Sequence, residues 1–279
     1  MILLEIFNSK NKKYYKKGYT LIEVAMTMVL IGILSVAGIS MLDDSLKEDR
    51  FGVTVKSLKE MRNALVGDPD LIEFGKRTHF GYLGDIGDVP TNAQGISALI
   101  TNPGLPIWTI NSVVRIAYGW NGPYLTVNNP GADYSKDAWN NNYVYSVDAN
   151  GVTITSYGGD GVAGGTGLNQ DISINAPLSL IWSQVNGFIS DGAGPYTSGT
   201  ATIEIYYPDG SGALKTVQKN IAPAANGYFS FSNIPLGVHS VKVFIPNATA
   251  PTKTLGPAII TVDRSNFVIP TNTFNINPP

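Results

Sequence analysis

Gly18-Tyr19-Thr20-Leu21-Ile22-Glu23-Val24 joins a basic leader to a long apolar run that admits one acid, and the fold reads outward from it. Upstream lie Lys10, Lys12, Lys13, Lys16 and Lys17, while Val24 to Leu42 carries no charge. About 20 such residues can cross a bilayer as a helix, so the sequence predicts a membrane segment. Lysines on one flank keep the leader cytoplasmic and send the bulk of the chain outward. A secretory signal would have a shorter apolar core with its cleavage site on the far side; here the polar break is at the near edge.

Glu23 needs a partner, because a carboxylate in hydrocarbon is costly unless it is neutralised. A cut between Gly18 and Tyr19 creates an α-amino group close to Glu23 in sequence, and in a helical stack of subunits a neighbour's amine could pair with it. The alternative is a permanent N-terminal anchor with an interfacial glutamate.

Lys17-Gly18-Tyr19-Thr20-Leu21-Ile22-Glu23-Val24 resembles the class III prepilin signal of type IV pilins and type II secretion pseudopilins. The resemblance implies that prepilin peptidase, a membrane aspartyl protease, cuts after Gly18 and methylates the new amine on Tyr19. Tyr19 stands where the family usually has phenylalanine, another aromatic.

The 279 residues suffice for two modest domains beside a membrane helix. With 19 basic and 21 acidic residues, and the basic cluster confined to the leader, there is no electrostatic case for nucleic acid. Cysteine is absent, which excludes disulfides and thiol chemistry. The two histidines, His79 and His239, sit in no nucleophile, metal or phosphate motif, so the chain is not expected to be an enzyme.

From Tyr19 to about Val66 there is no proline, and Phe51, Val55, Leu58, Met61 and Leu65 recur at helical spacing. One long helix is predicted, membrane-spanning in its first half and amphipathic in its second. Gly67-Asp68-Pro69 ends it. Thr91 to Ile100 reads as a short capped helix, and Trp120, Gly122-Pro123-Tyr124-Leu125, Asp137-Ala138-Trp139, Tyr143-Val144-Tyr145-Ser146 and Val152-Thr153-Ile154-Thr155 as a meander of short antiparallel strands. The layout is a long helix on a small sheet.

Val89-Pro90-Thr91-Asn92-Ala93-Gln94-Gly95, Gly119-Trp120-Asn121-Gly122-Pro123-Tyr124-Leu125 and Asp137-Ala138-Trp139-Asn140-Asn141-Asn142-Tyr143 resemble the major pseudopilin of type II secretion. The resemblance covers about residues 10 to 173. The chain departs from it in a longer segment from Arg77 to Asp85 and in Asn141, which alters a turn.

Next comes Gly158-Gly159-Asp160-Gly161-Val162-Ala163-Gly164-Gly165, continuing to Asn169 and Asp171. Gly159, Gly161 and Gly164 have the spacing of a dinucleotide fingerprint, but no helix follows and Asp160 would repel phosphate. Two readings remain from the residues alone: a plain mobile loop, or a calcium site with hard oxygen ligands from Asp160, Asp171 and Asn169 together with backbone carbonyls. Major pseudopilins end in a similar calcium-binding loop. That resemblance favours calcium, with Tyr157 giving its carbonyl and Asp160 its side chain.

Beyond it, 174–198 reads as a linker. Thr202 to Tyr207, Gly227 to Phe231, Val238 to Ile245 and Ala258 to Val262 alternate as strands of a small β-sandwich. Gly227 to Gly237 resembles the carboxypeptidase regulatory-like, transthyretin-like repeat. Tyr206, Tyr207 and Tyr228 read as packing or edge residues more readily than as a sugar platform.

The expected protein is α+β, a long transmembrane and amphipathic helix packed on a small antiparallel sheet (the pilin fold) and followed by an all-β sandwich. The expected boundaries are 1–18 for the leader, 19–173 for the pseudopilin domain with its helix at 19–66, 174–198 for the linker and 199–279 for the sandwich. As the resemblance implies, it would be a subunit of a homo-oligomeric filament, a secretion pseudopilus or a type IV pilus-like fibre. It would be anchored by a single pass in the inner membrane, with its C-terminal part periplasmic. Its partners would be prepilin peptidase, the inner-membrane assembly machinery, other pseudopilins and membrane lipid. The rival is an adhesin or cargo-binding pilin that acts through the sandwich.

Overall fold

The computed structural model describes residues 18–73, 75–126, 133–192 and 194–277, except for the side chains of 36–44. The leader lysines therefore lie outside the described residues. The chain divides into two compact units, Met1–Asp49 and Arg50–Pro279, and is α+β.

Helix α1 spans Leu21–Val66, matching the proline-free stretch. In the first unit its apolar side chains face outward; Leu21, Ile22, Leu30, Ile33 and Leu34 are each more than half exposed. Among the described residues no helix is long and apolar enough to cross a membrane. The expected span, Val24 to Leu42, runs into the side chains of 36–44, outside those described.

In the second unit α1 is amphipathic. Leu58, Met61 and Leu65 are buried and share a core with Tyr143, Val152, Ile154 and Ala176 of a three-stranded antiparallel sheet. Phe51, expected on that stripe, is 40% exposed and stands outside the core. The first two of the sheet's three strands are those the alternating pattern predicts. Gly122 to Leu125 and Asp137 to Trp139, expected as strands of the same meander, are instead loop and turn, the latter because the Asp137 side chain takes the amides of Trp139 and Asn141.

The strands and helices follow in chain order. β1 (Ile72–Glu73) and β2 (Lys76–Arg77) form a small hairpin. Next are α2 (Gly81–Ile86) and a second hairpin of β3 (Thr109–Asn111) and β4 (Ile116–Tyr118). The core sheet is β5 (Val144–Asp148), β6 (Gly151–Ser156) and β7 (Ile172–Pro177). The glycine-rich loop connects β6 to β7. Between α2 and β3, the short helix expected at Thr91 to Ile100 is a 3-10 turn, Gly95–Leu99; Thr91 and Gln94 exchange side-chain and backbone hydrogen bonds at its start.

The longer segment at Arg77 serves the end of α1. Arg77 is 3% exposed; its guanidinium donates to the carbonyls of Val66, Gly67 (3.4 Å) and His79 (3.2 Å) and lies 5.1 Å from the centre of the Phe80 ring. A cation there satisfies carbonyls that the helix itself leaves without donors.

Residues 174–198, expected as a linker, instead carry β8 (Trp182–Phe188) and the short strands β9 (Ser190–Asp191) and β10 (Gly194–Pro195). The remaining strands are β11 (Ala201–Pro208), β12 (Leu214–Ile221), β13 (Tyr228–Pro235), β14 (Gly237–Ile245), β15 (Lys253–Val262) and β16 (Asn266–Val268). They form a four-stranded sheet, β12-β11-β14-β15, and a three-stranded sheet, β13-β8-β16. Ile203, Ile205, Val241 and Val243 from one sheet share a core with Val185, Phe229 and Phe231 from the other.

β8 escaped the sequence reading because its inward positions are Ser183, Val185 and Gly187, which show no apolar alternation. Glycine is required at 187, since a Cβ there would come within 2.4 Å of the Phe229 ring. Within the second unit the sandwich continues directly from the helix-and-sheet core: Gly210 N–H donates to Ile86 O at 2.8 Å, Leu236 N–H donates to Ile181 O at 2.9 Å, and Leu236 is buried with the α1 core.

Candidate functional site

Two stretches carry the predicted site residues, the head of α1 and the loop between β6 and β7. At the first, Gly18, Tyr19 and Thr20 precede the helix and are exposed. Glu23 lies in the first turn. Its Oε2 accepts from Thr20 N–H at 3.3 Å, and Glu23 N–H donates to Thr20 Oγ1 at 3.3 Å. This reciprocal pair is a capping box, which satisfies two amides at the positive end of the helix dipole. The sequence reading gave Glu23 only an intermolecular partner; the spacing Thr20-x-x-Glu23 was the signal for this local one.

The second site is built on Asp137, 7% exposed. Its Oδ1 accepts from the amides of Trp139 and Asn141, both at 2.9 Å, and its Oδ2 from Ser156 Oγ at 2.5 Å. Ser156 Oγ in turn accepts from Gly158 N–H at 3.2 Å, and Asn141 Nδ2 donates to Gly158 O at 2.8 Å. Asp137 and Asn141 therefore fix the first residue of the glycine-rich loop. Asp137, Asn141 and Ser156 were not among the predicted site residues, because their partnership joins segments distant in sequence.

The loop closes on itself. Gly159 N–H donates to Leu168 O at 2.9 Å, Asp171 N–H to Gly164 O at 3.2 Å, and Gly164 N–H to Asp171 Oδ1 at 3.0 Å. Asp160 Oδ1 accepts from Val162 N–H at 3.1 Å. Several oxygens crowd the loop's entrance. A Cβ on Gly158 would meet Gln170 O at 2.8 Å and Leu168 O at 2.9 Å, and one on Gly159 would meet Asn169 Oδ1 at 3.1 Å. Gly158 also has φ of +64°, a left-handed conformation that suits glycine.

Of the predicted ligand residues, Asn169 lies beside Gly159. Asp160 and Asp171 each use one carboxylate oxygen on a loop amide, and Tyr157 stands half-buried at the end of β6. An all-oxygen set of carboxylates, an amide and carbonyls suits a hard cation such as calcium. No group of three or more His, Cys, Asp or Glu placed to hold a metal occurs among the described residues, so a cation here would depend on the carbonyls.

His239 is fully buried, with Nε2 2.6 Å from Pro235 O, and burial pushes its pKa down to about 4. Asp85 lies under the Trp120-to-Tyr124 segment and accepts from Tyr124 Oη at 3.0 Å; burial raises its carboxyl to about 6 against the lowering effect of its hydrogen bonds. On the sandwich, Tyr207 is in the core. Tyr206 is hydrogen-bonded to Glu204 and lies under Lys242, whereas Tyr228 is 42% exposed.

Comparison with known families gives two matches. The profile of type II secretion system protein G matches residues 76–175, and the prokaryotic N-terminal methylation motif matches residues 13–39. No curated protein matches the chain. The methylation motif covers the capped head of α1, and the protein G profile covers Arg77, Asp85, Asp137 and the whole glycine-rich loop. Together the two matches support a pseudopilin, type IV pilin-like family for this chain.

Proposed function

We propose that the chain is a structural subunit of a type II secretion pseudopilus or a related type IV pilus-like filament, assembled through the first half of α1. The observation that carries this reading is the head of that helix, where a capped start at Thr20 and Glu23 leads into exposed apolar side chains. Such a surface needs covering, by lipid before assembly and by neighbouring helices after it. Prepilin peptidase cuts after Gly18. The subunit waits in the inner membrane as a single pass with its C-terminal part in the periplasm, and assembly draws it into the filament beside other pseudopilins. Glu23 uses one carboxylate oxygen in the capping box, and its remaining acceptor capacity takes the Tyr19 amine of a neighbour, which sets the stacking register.

In this reading calcium binds at the glycine-rich loop through Asp160, Asp171, Asn169 and carbonyls that include that of Tyr157. Bound calcium supplies a fixed positive charge that holds these oxygens together. Asp137 and Asn141 keep the loop's first residue in place for it.

The test of processing is the mass of the mature chain after co-expression with a prepilin peptidase. The expected product begins at Tyr19 and carries one methyl group; an intact leader, or a cut elsewhere, refutes the subunit reading. The test of calcium is thermal unfolding of the full chain with calcium and with chelator. Saturation at about 100 times Kd stabilises the folded state by about 2.7 kcal/mol. A calcium-dependent rise that Asp160→Ala abolishes is expected, and no rise in the wild type removes calcium from the proposal.

A further inference from the structure

The outward face of the three-stranded sheet β13-β8-β16 departs from an ordinary solvated strand surface. Phe188 and Tyr228 are cross-strand partners, 41% and 42% exposed, with ring centroids 5.2 Å apart and planes tilted by 53°. Beside them runs a chain of neutral polar groups. Tyr228 Oη donates to Asn186 Oδ1 at 3.0 Å, Asn186 Nδ2 to Asn266 Oδ1 at 2.9 Å, and Gln184 Nε2 to Ser230 Oγ at 3.0 Å. Each amide is held by a neighbour and still has unused capacity, at Asn266 Nδ2 and Gln184 Oε1.

We propose that this face, with Phe188 and Tyr228 as an aromatic platform and Gln184, Asn186 and Asn266 as a polar ladder, binds a neutral polysaccharide. The argument is one of chemical matching. A sugar ring offers C–H groups on its faces and hydroxyls around its edge, so it needs rings to lie against and groups that both donate and accept. The sheet supplies both over the five residues from Gln184 to Phe188, about 13 Å of strand. None of the five side chains is charged, which disfavours nucleic acid and other polyanions that need cations. Lys219, at the margin, is engaged by Ser230 O at 2.9 Å. A purely apolar partner would strand the amides without hydrogen bonds. An added peptide strand needs an open sheet edge, and on this face the backbone of β8 is paired on both sides. The outward Tyr206 of the other sheet is covered by Glu204 and Lys242, so the platform belongs to this sheet. The inference stands on the sandwich alone and does not depend on the filament reading.

The experiment is affinity electrophoresis of the full chain, solubilised in a polyoxyethylene detergent, because glycoside detergents would compete. The gels contain a soluble α-glucan, a mixed-linkage β-glucan, a galactomannan or, as a charged control, alginate. Retardation by at least one neutral polymer is expected, insensitive to salt. Phe188→Ala and Tyr228→Ala should each weaken it roughly tenfold or more, Asn266→Ala should weaken it measurably, and Phe188→Tyr should retain it. Variant melting temperatures within about 3 °C of wild type confirm that folding is not the cause. Three outcomes overturn the inference: no neutral polymer retards the protein, retardation survives both alanine variants, or alginate alone retards it. Processing after Gly18 should be normal in every variant, so a failure here is distinguishable from a failure of the subunit reading.

Discussion

Replacing Asp137 should loosen the glycine-rich loop from a distance in sequence. The carboxylate accepts three hydrogen bonds, from the amides of Trp139 and Asn141 and from Ser156 Oγ. Asp137→Ala leaves all three donors without their acceptor at a position only 7% exposed. Each buried unsatisfied donor costs about 1–3 kcal/mol. Water reaches the half-buried turn and recovers part of this, so a net loss of about 3 kcal/mol is expected. For a unit of this size that lowers Tm by roughly 6–12 °C. Asp137→Asn keeps one carbonyl oxygen for the two amides but presents an N–H2 group to Ser156, and should cost about 1 kcal/mol. The assay is thermal unfolding of the full chain in detergent, followed by tryptophan fluorescence, with limited proteolysis between Gly158 and Asp171 as a second readout. Earlier cleavage in the alanine variant is expected. A Tm unchanged in Asp137→Ala, or equal losses in the two variants, would show that the carboxylate is not the post on which the loop is built.

Arg77→Met keeps the buried stem but removes the donors to the end of α1, and should cost about 2–3 kcal/mol by chemical unfolding; a wild-type midpoint would remove Arg77 as the helix cap. Asp85 and His239 make opposite contributions to pH dependence. The raised carboxyl of Asp85 gives stability that is full below about pH 4 and lost as pH rises through about 6; the depressed His239 gives stability present above about 6.5 and lost as pH falls toward about 4. Asp85→Asn should therefore make the protein lose stability more steeply on acidification from pH 7 to 4.5 than the wild type, and His239→Gln less steeply; parallel melting curves against pH would refute both assignments. Gly187→Ala drives a methyl group into the Phe229 ring, and an expected loss of about 1–3 kcal/mol is checked by the same melting assay.

The sequence by itself determined what rests on short-range pattern. The proline-free run from Leu21 to Val66, alternation in β5, β6, β11 and β14, and the motif around Gly18 are properties of neighbouring residues, and each is legible without a fold. The glycine-rich loop was visible as a loop for the same reason. Tertiary structure decided the rest. β8 has a serine and a glycine on its inward face, and only the Phe229 ring opposite Gly187 explains why it is a central strand rather than a linker. α2, rich in glycine, holds its place against the neighbouring strands of the sandwich, through contacts such as Ile86 O with Gly210 N–H. Arg77 became a helix cap, and Asp137 the anchor of a loop, because buried carbonyls and amides must find partners wherever the chain brings them. Local pattern records which face of a segment is apolar; it carries no record of which distant polar group will satisfy which, and in this protein that pairing positions the candidate site.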